Sequence, residues 1–229
     1  MKKKGKLIVI DGTDGSGKTT QINLLIEKLK SDGFKVKTIH FPKYDNFFGG
    51  FIGHCLTEQY YNFINVHPKI VSVLYAADRW ESSKEIKNWM DKGYTVVLDR
   101  YVSAAQIHQG GMIKNVKKRE AFIKWLDEME YKVFKIPRAD ITIYLSLPFE
   151  ISQKLIKERN KKAVRAYAGN KKDVHEVSLE YQKNSRESAL WLSKTQKKFI
   201  KVDCAQKGTI LSREAIHEMV YKEVEKVIK

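Results

Sequence analysis

The amino-acid sequence predicts an α/β fold in which a five-stranded parallel sheet is flanked by helices on both faces. Three observations predict it. Five short runs, residues 7–10, 36–39, 95–98, 141–145 and 199–202, are β-branched and nearly all apolar, as strands buried on both faces should be. Helix-length amphipathic stretches lie between them, and β and α segments in alternation build a sheet wrapped by helices. A glycine-rich segment joins the first run to the first helical stretch, and ligands of such sheets bind beyond the carboxyl ends of the strands.

The chain starts with the lysines of "MKKKGK". They read as a solvated tail rather than a signal peptide, because the apolar run at 7–10 is too short for an h-region and Asp11 ends it. That first strand leads into Gly12-Thr13-Asp14-Gly15-Ser16-Gly17-Lys18-Thr19, which fits G-x-x-x-x-G-K-[ST] at every fixed position. The motif needs a strand before it and a helix after it, and has both. Its glycines let backbone N–H groups turn toward phosphate oxygens, and the helix start adds its positive dipole end. Gly12 through Thr19, with Thr20 beside them, form the expected ATP-binding set. Lys18 reaches the β- and γ-phosphates and the Thr19 hydroxyl ligates Mg²⁺. The sheet is therefore of the P-loop NTPase type, but the loop alone does not say how the nucleotide is used.

Ile22, Leu25, Ile26 and Leu29 follow at i, i+3, i+4 and i+7, the apolar stripe of a helix. The second strand, 36–39, runs into His40-Phe41-Pro42-Lys43-Tyr44. A long helix then carries "LYAADRW", residues 74–80. Its Tyr75 and Arg79 are four apart and share one face, where a ring and a fork of donors can stack a base and bond its edge. Taken alone, the pair reads better as a core tyrosine and a surface arginine.

The third strand, 95–98, delivers Asp99 and Arg100 at its end, where a charge pair is expensive without work or partners. A structural ion pair capping the sheet is the other reading. Gln106 follows, with one acceptor and two donors. After the fourth strand, 141–145, comes the basic run "KERNKKAVRAYAGNKKDVHE", 157–176, which could also be a solvated helix end. The fifth strand, 199–202, precedes a last stripe of Ile216, Met219, Val220, Val224 and Val227.

Composition bounds the rest. A chain of 229 residues, 42% hydrophobic and 31% charged, makes one sizeable core and is short for two. No apolar run approaches the ~20 residues of a membrane helix. Cys55 and Cys204 have no short-range spacing, hence neither a disulfide framework nor a metal pattern, and a reducing cytoplasm is the expected home. The net charge of +16 favours polyanionic partners. A free nucleic acid is disfavoured, since no aromatic-basic recognition motif accompanies the lysines.

With the loop acid Asp14, the Arg79-Trp80 pair and Asp99-Arg100-Tyr101 in view, the chain resembles the thymidylate kinases, over nearly its whole length. The resemblance implies one domain over residues 1–229, ATP and dTMP as substrates, Mg²⁺ as cofactor and a homodimer. It implies that the Asp14 carboxylate accepts the 3′-hydroxyl of the deoxyribose, that Tyr75 stacks on thymine, that Arg79 bonds a thymine carbonyl and that Gln106 reads the base. Arg100 then holds the dTMP phosphate and Asp99 orients the water shell of the metal. Phe41 and Pro42 belong to the family's Phe-Pro-x-Arg segment. Here Tyr44 stands at the arginine position, so Lys43 or the Tyr44 hydroxyl meets the phosphate. His108 occupies a place near the sugar where the family usually has tyrosine or phenylalanine. Some members carry a basic residue in the loop where this chain has Gly15. Others place arginines in a mobile lid, and Arg159 and Arg165 of the lid at 157–176 are the candidates. An activity on another pyrimidine monophosphate such as dUMP, and a nucleic-acid-binding NTPase, are the competing readings.

The chemistry needs no general base, because the accepting phosphate oxygen is already ionised. His108 and His175 are accordingly structural or near the substrate. Rate comes from alignment and from neutralising charge on the transferred group, which gives Lys18, Arg100, Arg159 and Arg165 the catalytic parts.

Overall fold

The protein was examined as a computed structural model, which describes residues 4–57, 59–162 and 178–229. Strands β1 (Leu7–Gly12), β2 (Val36–His40), β3 (Thr95–Asp99), β4 (Ile141–Ser146) and β5 (Phe199–Asp203) form one sheet in the order β2-β3-β1-β4-β5. Every neighbouring pair is parallel. Each of the five expected strands is present and runs one or two residues further at its carboxyl end.

Alternation along β1 divides the core. Leu7 and Val9 face one layer with Val96 and Leu98, while Ile8 and Ile10 face the other with Val97 and Ile143. The second layer is closed by α1 (Lys18–Ser31), through Ile22, Leu25 and Leu29, and by the C-terminal helix α8 (Arg213–Ile228), through Ile216, Val220 and Val224. The first is closed by α3 (Pro68–Asp91), α4 (Val102–Gly111), α5 (Val116–Glu128) and α7 (Leu179–Thr195). A π turn, Met129–Val133, extends α5. Two further helices, α2 (Phe47–Leu56) and α6 (Phe149–Lys162), lie near the carboxyl end of the sheet. A small hairpin, β6 (Ala205–Gln206) with β7 (Thr209–Ile210), was not foreseen in the sequence. Its turn residues Lys207 and Gly208 both have left-handed backbones (φ 47 and 77), the requirement of a two-residue hairpin turn.

The register places the site. Asp99 is level with Ile10 of β1 on one side and His40 of β2 on the other. The loop after β1, the His40–Tyr44 segment and the start of α4 therefore leave the sheet together.

Candidate active site

The loop between Gly12 and Lys18 joins β1 to α1. Gly17 caps the helix in the left-handed region (φ 84), which glycine enters at no steric cost. Gly15 is left-handed too (φ 76), and a Cβ there would stand 2.7 Å from the Ser152 carbonyl oxygen and 3.0 Å from Ile156 Cγ1. Helix α6 thus leaves no room for a side chain where some thymidylate kinases carry a basic residue.

Lys18 curls back over the loop. Its Nζ donates to the carbonyl oxygens of Gly12 (2.9 Å) and Thr13 (3.1 Å) and lies 4.0 Å from Asp14 Oδ1. Burial, reinforced by the neighbouring Arg100, lowers its pKa to about 8. Such an ammonium gains from an arriving anion. Thr19 and Thr20 line the broad cleft around the loop together with Asp99.

A second, smaller cavity adjoins this cleft. Asp14, Phe41, Pro42, Tyr44 and Arg100 line both the cleft and this cavity. The two spaces therefore meet at the loop acid and the arginine after β3. Tyr75 and Arg79 both line the second cavity, as their spacing on one helical face requires, and so do His108 and Tyr181. Its wall is backed by a small apolar cluster of Ile52, Cys55, Leu56, Phe63 and Val71.

Arg100 has a left-handed backbone (φ 64), which costs a non-glycine residue of order 1–3 kcal/mol unless its surroundings fix it. They do. Nη2 donates to Asp14 Oδ1 at 2.8 Å, and Nη1 lies 2.8 Å from His108 Nε2 and 3.5 Å from Asp11 Oδ1. Asp11 itself accepts from Ser103 Oγ at 2.6 Å and from the Gly12 N–H at 2.8 Å. Burial raises its pKa despite Arg100 beside it. The sequence reading used Asp11 only to end a strand.

Asp99 does not take Arg100 as its main partner. Its Oδ2 pairs with His40 Nδ1 at 3.0 Å, while Oδ1 is buried with no hydrogen-bond partner. Burial pushes the carboxyl up, but the His40 bond, with Lys18 and Arg100 nearby, outweighs it and holds the pKa low. An ionised, unpaired oxygen beside Thr19 fits a hydrated cation. Among the described residues no cluster of three or more His, Cys, Asp or Glu side chains could hold a metal.

Four expectations are corrected. Arg79 is not a surface arginine: it is 1% exposed. Its Nε donates to both oxygens of Glu130 (3.1 and 3.2 Å), Nη2 also pairs with Glu130, and Nη1 donates to the Tyr101 carbonyl oxygen at 3.3 Å. These bonds take three of the five guanidinium N–H groups. Gln106 does not reach the cavity, because its Nε2 donates to Asp127 Oδ1 at 3.2 Å. The amide in the cavity wall is Gln109, one helical turn on. Lys43 lines neither space. Its N–H is held by both carboxylate oxygens of Asp78 (3.3 Å each), and Tyr44 lines the cavity instead. Asp99 and Arg100 do not form the sheet-capping ion pair that was one reading of them. The reading also missed Tyr181 and Ser185, which carry no motif and come from a helix after the basic run.

Arg159 lies near the C-terminal end of α6 with its side chain outside the described residues. Arg165, His175 and positions 163–176 of the lid lie outside them as well.

Comparison with known proteins gives a consistent result. The family model described as thymidylate kinase matches residues 10–216. A thymidylate kinase of Caldanaerobacter subterraneus subsp. tengcongensis is 31% identical over 99% of this chain and 98% of its own length. One from Plasmodium falciparum is 34% identical over 66% of each chain. A Schizosaccharomyces pombe relative is 38% identical, but the match spans 45% of its length and 43% of this chain. Among solved structures, a thymidylate kinase from Candida albicans superposes with a TM-score of 0.72 over 99% of this chain and 94% of its own, at 23% identity. That likeness shows the fold.

Proposed function

Because the chain belongs to the thymidylate kinase family, we propose that it moves the γ-phosphoryl group of ATP to dTMP, giving ADP and dTDP. The observation that carries this reading is the pair of cavities meeting at Asp14 and Arg100, one on the phosphate loop and one lined by Tyr75 and Arg79.

ATP sits on the loop from Gly12 to Thr20, with Lys18 on its β- and γ-phosphates. Arg100 holds the phosphate of dTMP, and the Asp14 carboxylate accepts the 3′-hydroxyl. Tyr75 stacks on thymine. Arg79, fixed from behind by Glu130, offers its remaining N–H groups to the base, and Gln109 takes the part first given to Gln106. The Tyr44 hydroxyl supplements Arg100. Thr19 would hold Mg²⁺, with Asp99 orienting its water shell, and the ion would supply charge neutralisation to the phosphates. The dTMP oxygen attacks as an anion, so no side chain removes a proton, and the protein contributes alignment and positive charge. The basic run 157–176, with Arg159 and Arg165, supplies further positive charge in this reading; the sequence alone supports that part.

The same reading makes the protein a cytoplasmic homodimer. No helix among the described residues is long and apolar enough to cross a membrane. Ile70, Val73 and Trp80 stand exposed on one stripe of α3, the kind of surface a second copy covers.

The test is a coupled ADP-release assay across nucleoside monophosphates. Turnover with dTMP well above that with dUMP, UMP and purine monophosphates is expected. Preference for another monophosphate, or ATP hydrolysis stimulated by DNA without phosphoryl transfer, would replace the reading.

A further inference from the structure

We propose that His108 is a positioning residue for Arg100, acting as a neutral imidazole protonated on Nδ1, and that it ties this arginine to helix α7. The inference rests on the reading of Arg100 as the dTMP-phosphate arginine.

A guanidinium only donates, and a neutral imidazole has one donor and one acceptor nitrogen. Arg100 Nη1 lies 2.8 Å from His108 Nε2, so Nε2 is the acceptor and the ring proton belongs to Nδ1. Nδ1 points at Ser185 Oγ, 3.2 Å away. Ser185 spends its own proton on the Tyr181 carbonyl oxygen at 2.8 Å, which leaves its lone pairs to accept from histidine. Three donors thus run in one sense, from Arg100 to His108 to Ser185 to the α7 backbone. The Tyr181 ring lies flat against the imidazole, centroids 5.7 Å apart and planes 9° apart. The direction of the hydrogen bonds and the stack together fix both the tautomer and the ring plane.

This matters because the Arg100 backbone is left-handed and its head needs external support. Asp14 and Asp11 provide it from the loop side and His108 from the helix side. A phenylalanine at 108 would stack on Tyr181 but would offer Arg100 no acceptor. Protonating His108 abolishes the acceptor and sets a cation against Arg100. Both effects release the arginine.

The experiment compares wild type, His108→Gln and His108→Phe, with kcat and KM for dTMP and ATP measured from pH 5.5 to 7.5 and melting temperature as a control. The glutamine amide oxygen replaces Nε2 as an acceptor but does not titrate. His108→Phe raises KM for dTMP about tenfold, one hydrogen bond to a charged group, and leaves KM for ATP within about twofold. At pH 7.5 His108→Gln stays within about threefold of wild type. Protonating the imidazole removes the acceptor, so wherever wild type and His108→Gln diverge in acid, wild type is the weaker dTMP binder. The titration of the substrate phosphate, near ~6, is common to both proteins and cancels. An unchanged KM in His108→Phe, or tighter binding by wild type in acid, would overturn the proposal. The last result would make His108 a direct phosphate ligand. A ¹H–¹⁵N spectrum of the substrate-free protein reads the tautomer directly: an Nδ1 proton is expected, and an Nε2 proton overturns the inference. That spectrum needs no substrate, so it stands or falls apart from the assignment of dTMP.

Discussion

Asp14 Oδ1 lies 2.8 Å from Arg100 Nη2 and 4.0 Å from Lys18 Nζ. One carboxylate therefore stands between the loop lysine and the arginine after β3, the residues proposed to serve ATP and the acceptor. This accounts for an acid inside a cradle for anions. In the free protein Asp14 and Arg100 satisfy each other, acceptor to donor. A nucleotide brings the matching pair, a hydroxyl donor for the acid and a phosphate acceptor for the arginine, so both partners can be exchanged without leaving a charge unpaired.

The first prediction concerns Arg100. Arg100→Ala raises KM for dTMP by about 10- to 100-fold, the ~1.5–3 kcal/mol of a lost hydrogen bond between charged groups. Its effect on KM for ATP stays small. Steady-state kinetics check it, and an unchanged KM for dTMP removes Arg100 from the phosphate.

The second concerns the buried pair Arg79 and Glu130, 1% and 0% exposed. Removing one partner strands the other, which costs about 3–5 kcal/mol. Glu130→Ala lowers the melting temperature accordingly. The double variant Arg79→Met with Glu130→Leu recovers much of the stability, yet binds dTMP poorly because the guanidinium proposed to read the base is gone. Denaturant melts and dTMP titrations separate the two effects.

The third is a pH dependence. Asp78 is fully buried, and burial, only partly offset by Arg79 and the Lys43 N–H, pushes its pKa up from 3.8 to about 6. Glu81 raises it slightly and His40 lowers it. The folded state binds this proton more tightly than the unfolded chain, so the group's contribution to stability falls as pH rises from 3.8 to about 6 and stays low above that. Asp78→Asn keeps an acceptor for the Lys43 N–H and removes the penalty. It should be more stable than wild type at pH 7.5, by on the order of 1–3 kcal/mol, and the advantage should shrink below pH ~6. A constant difference across pH would contradict the assignment.

Much of this was legible in the sequence, for definite reasons. Strands such as Leu7–Gly12 are buried on both faces, which writes them as continuous apolar runs. The loop motif is local, so its spacing is its structure. Tyr75 and Arg79 are one turn apart and had to share a face. What escaped notice depended on contacts distant in sequence or on a choice between adjacent turns. Glu130 reaches Arg79 across 51 positions and has no periodic mark. Gln106 and Gln109 sit on the same helix, and the neighbour Asp127 draws the first away from the cavity. Lys43 lines neither space, and its backbone N–H is held by Asp78 of α3, 35 positions away.

The fourth prediction addresses assembly. Ile70 and Val73 are 57% and 41% exposed on α3, and a second copy covers them in the proposed homodimer. Ile70→Glu or Val73→Glu halves the mass seen by light scattering. A wild-type protein that runs as a monomer would end that part of the reading.

The most direct test compares the affinities of dTMP and its 3′-deoxy analogue for wild type and Asp14→Ala. A carboxylate that accepts the 3′-hydroxyl makes wild type prefer dTMP by about 10- to 100-fold, and Asp14→Ala loses that preference because the two effects are coupled. Equal binding of both nucleotides by wild type, or a full preference surviving in Asp14→Ala, would contradict the account.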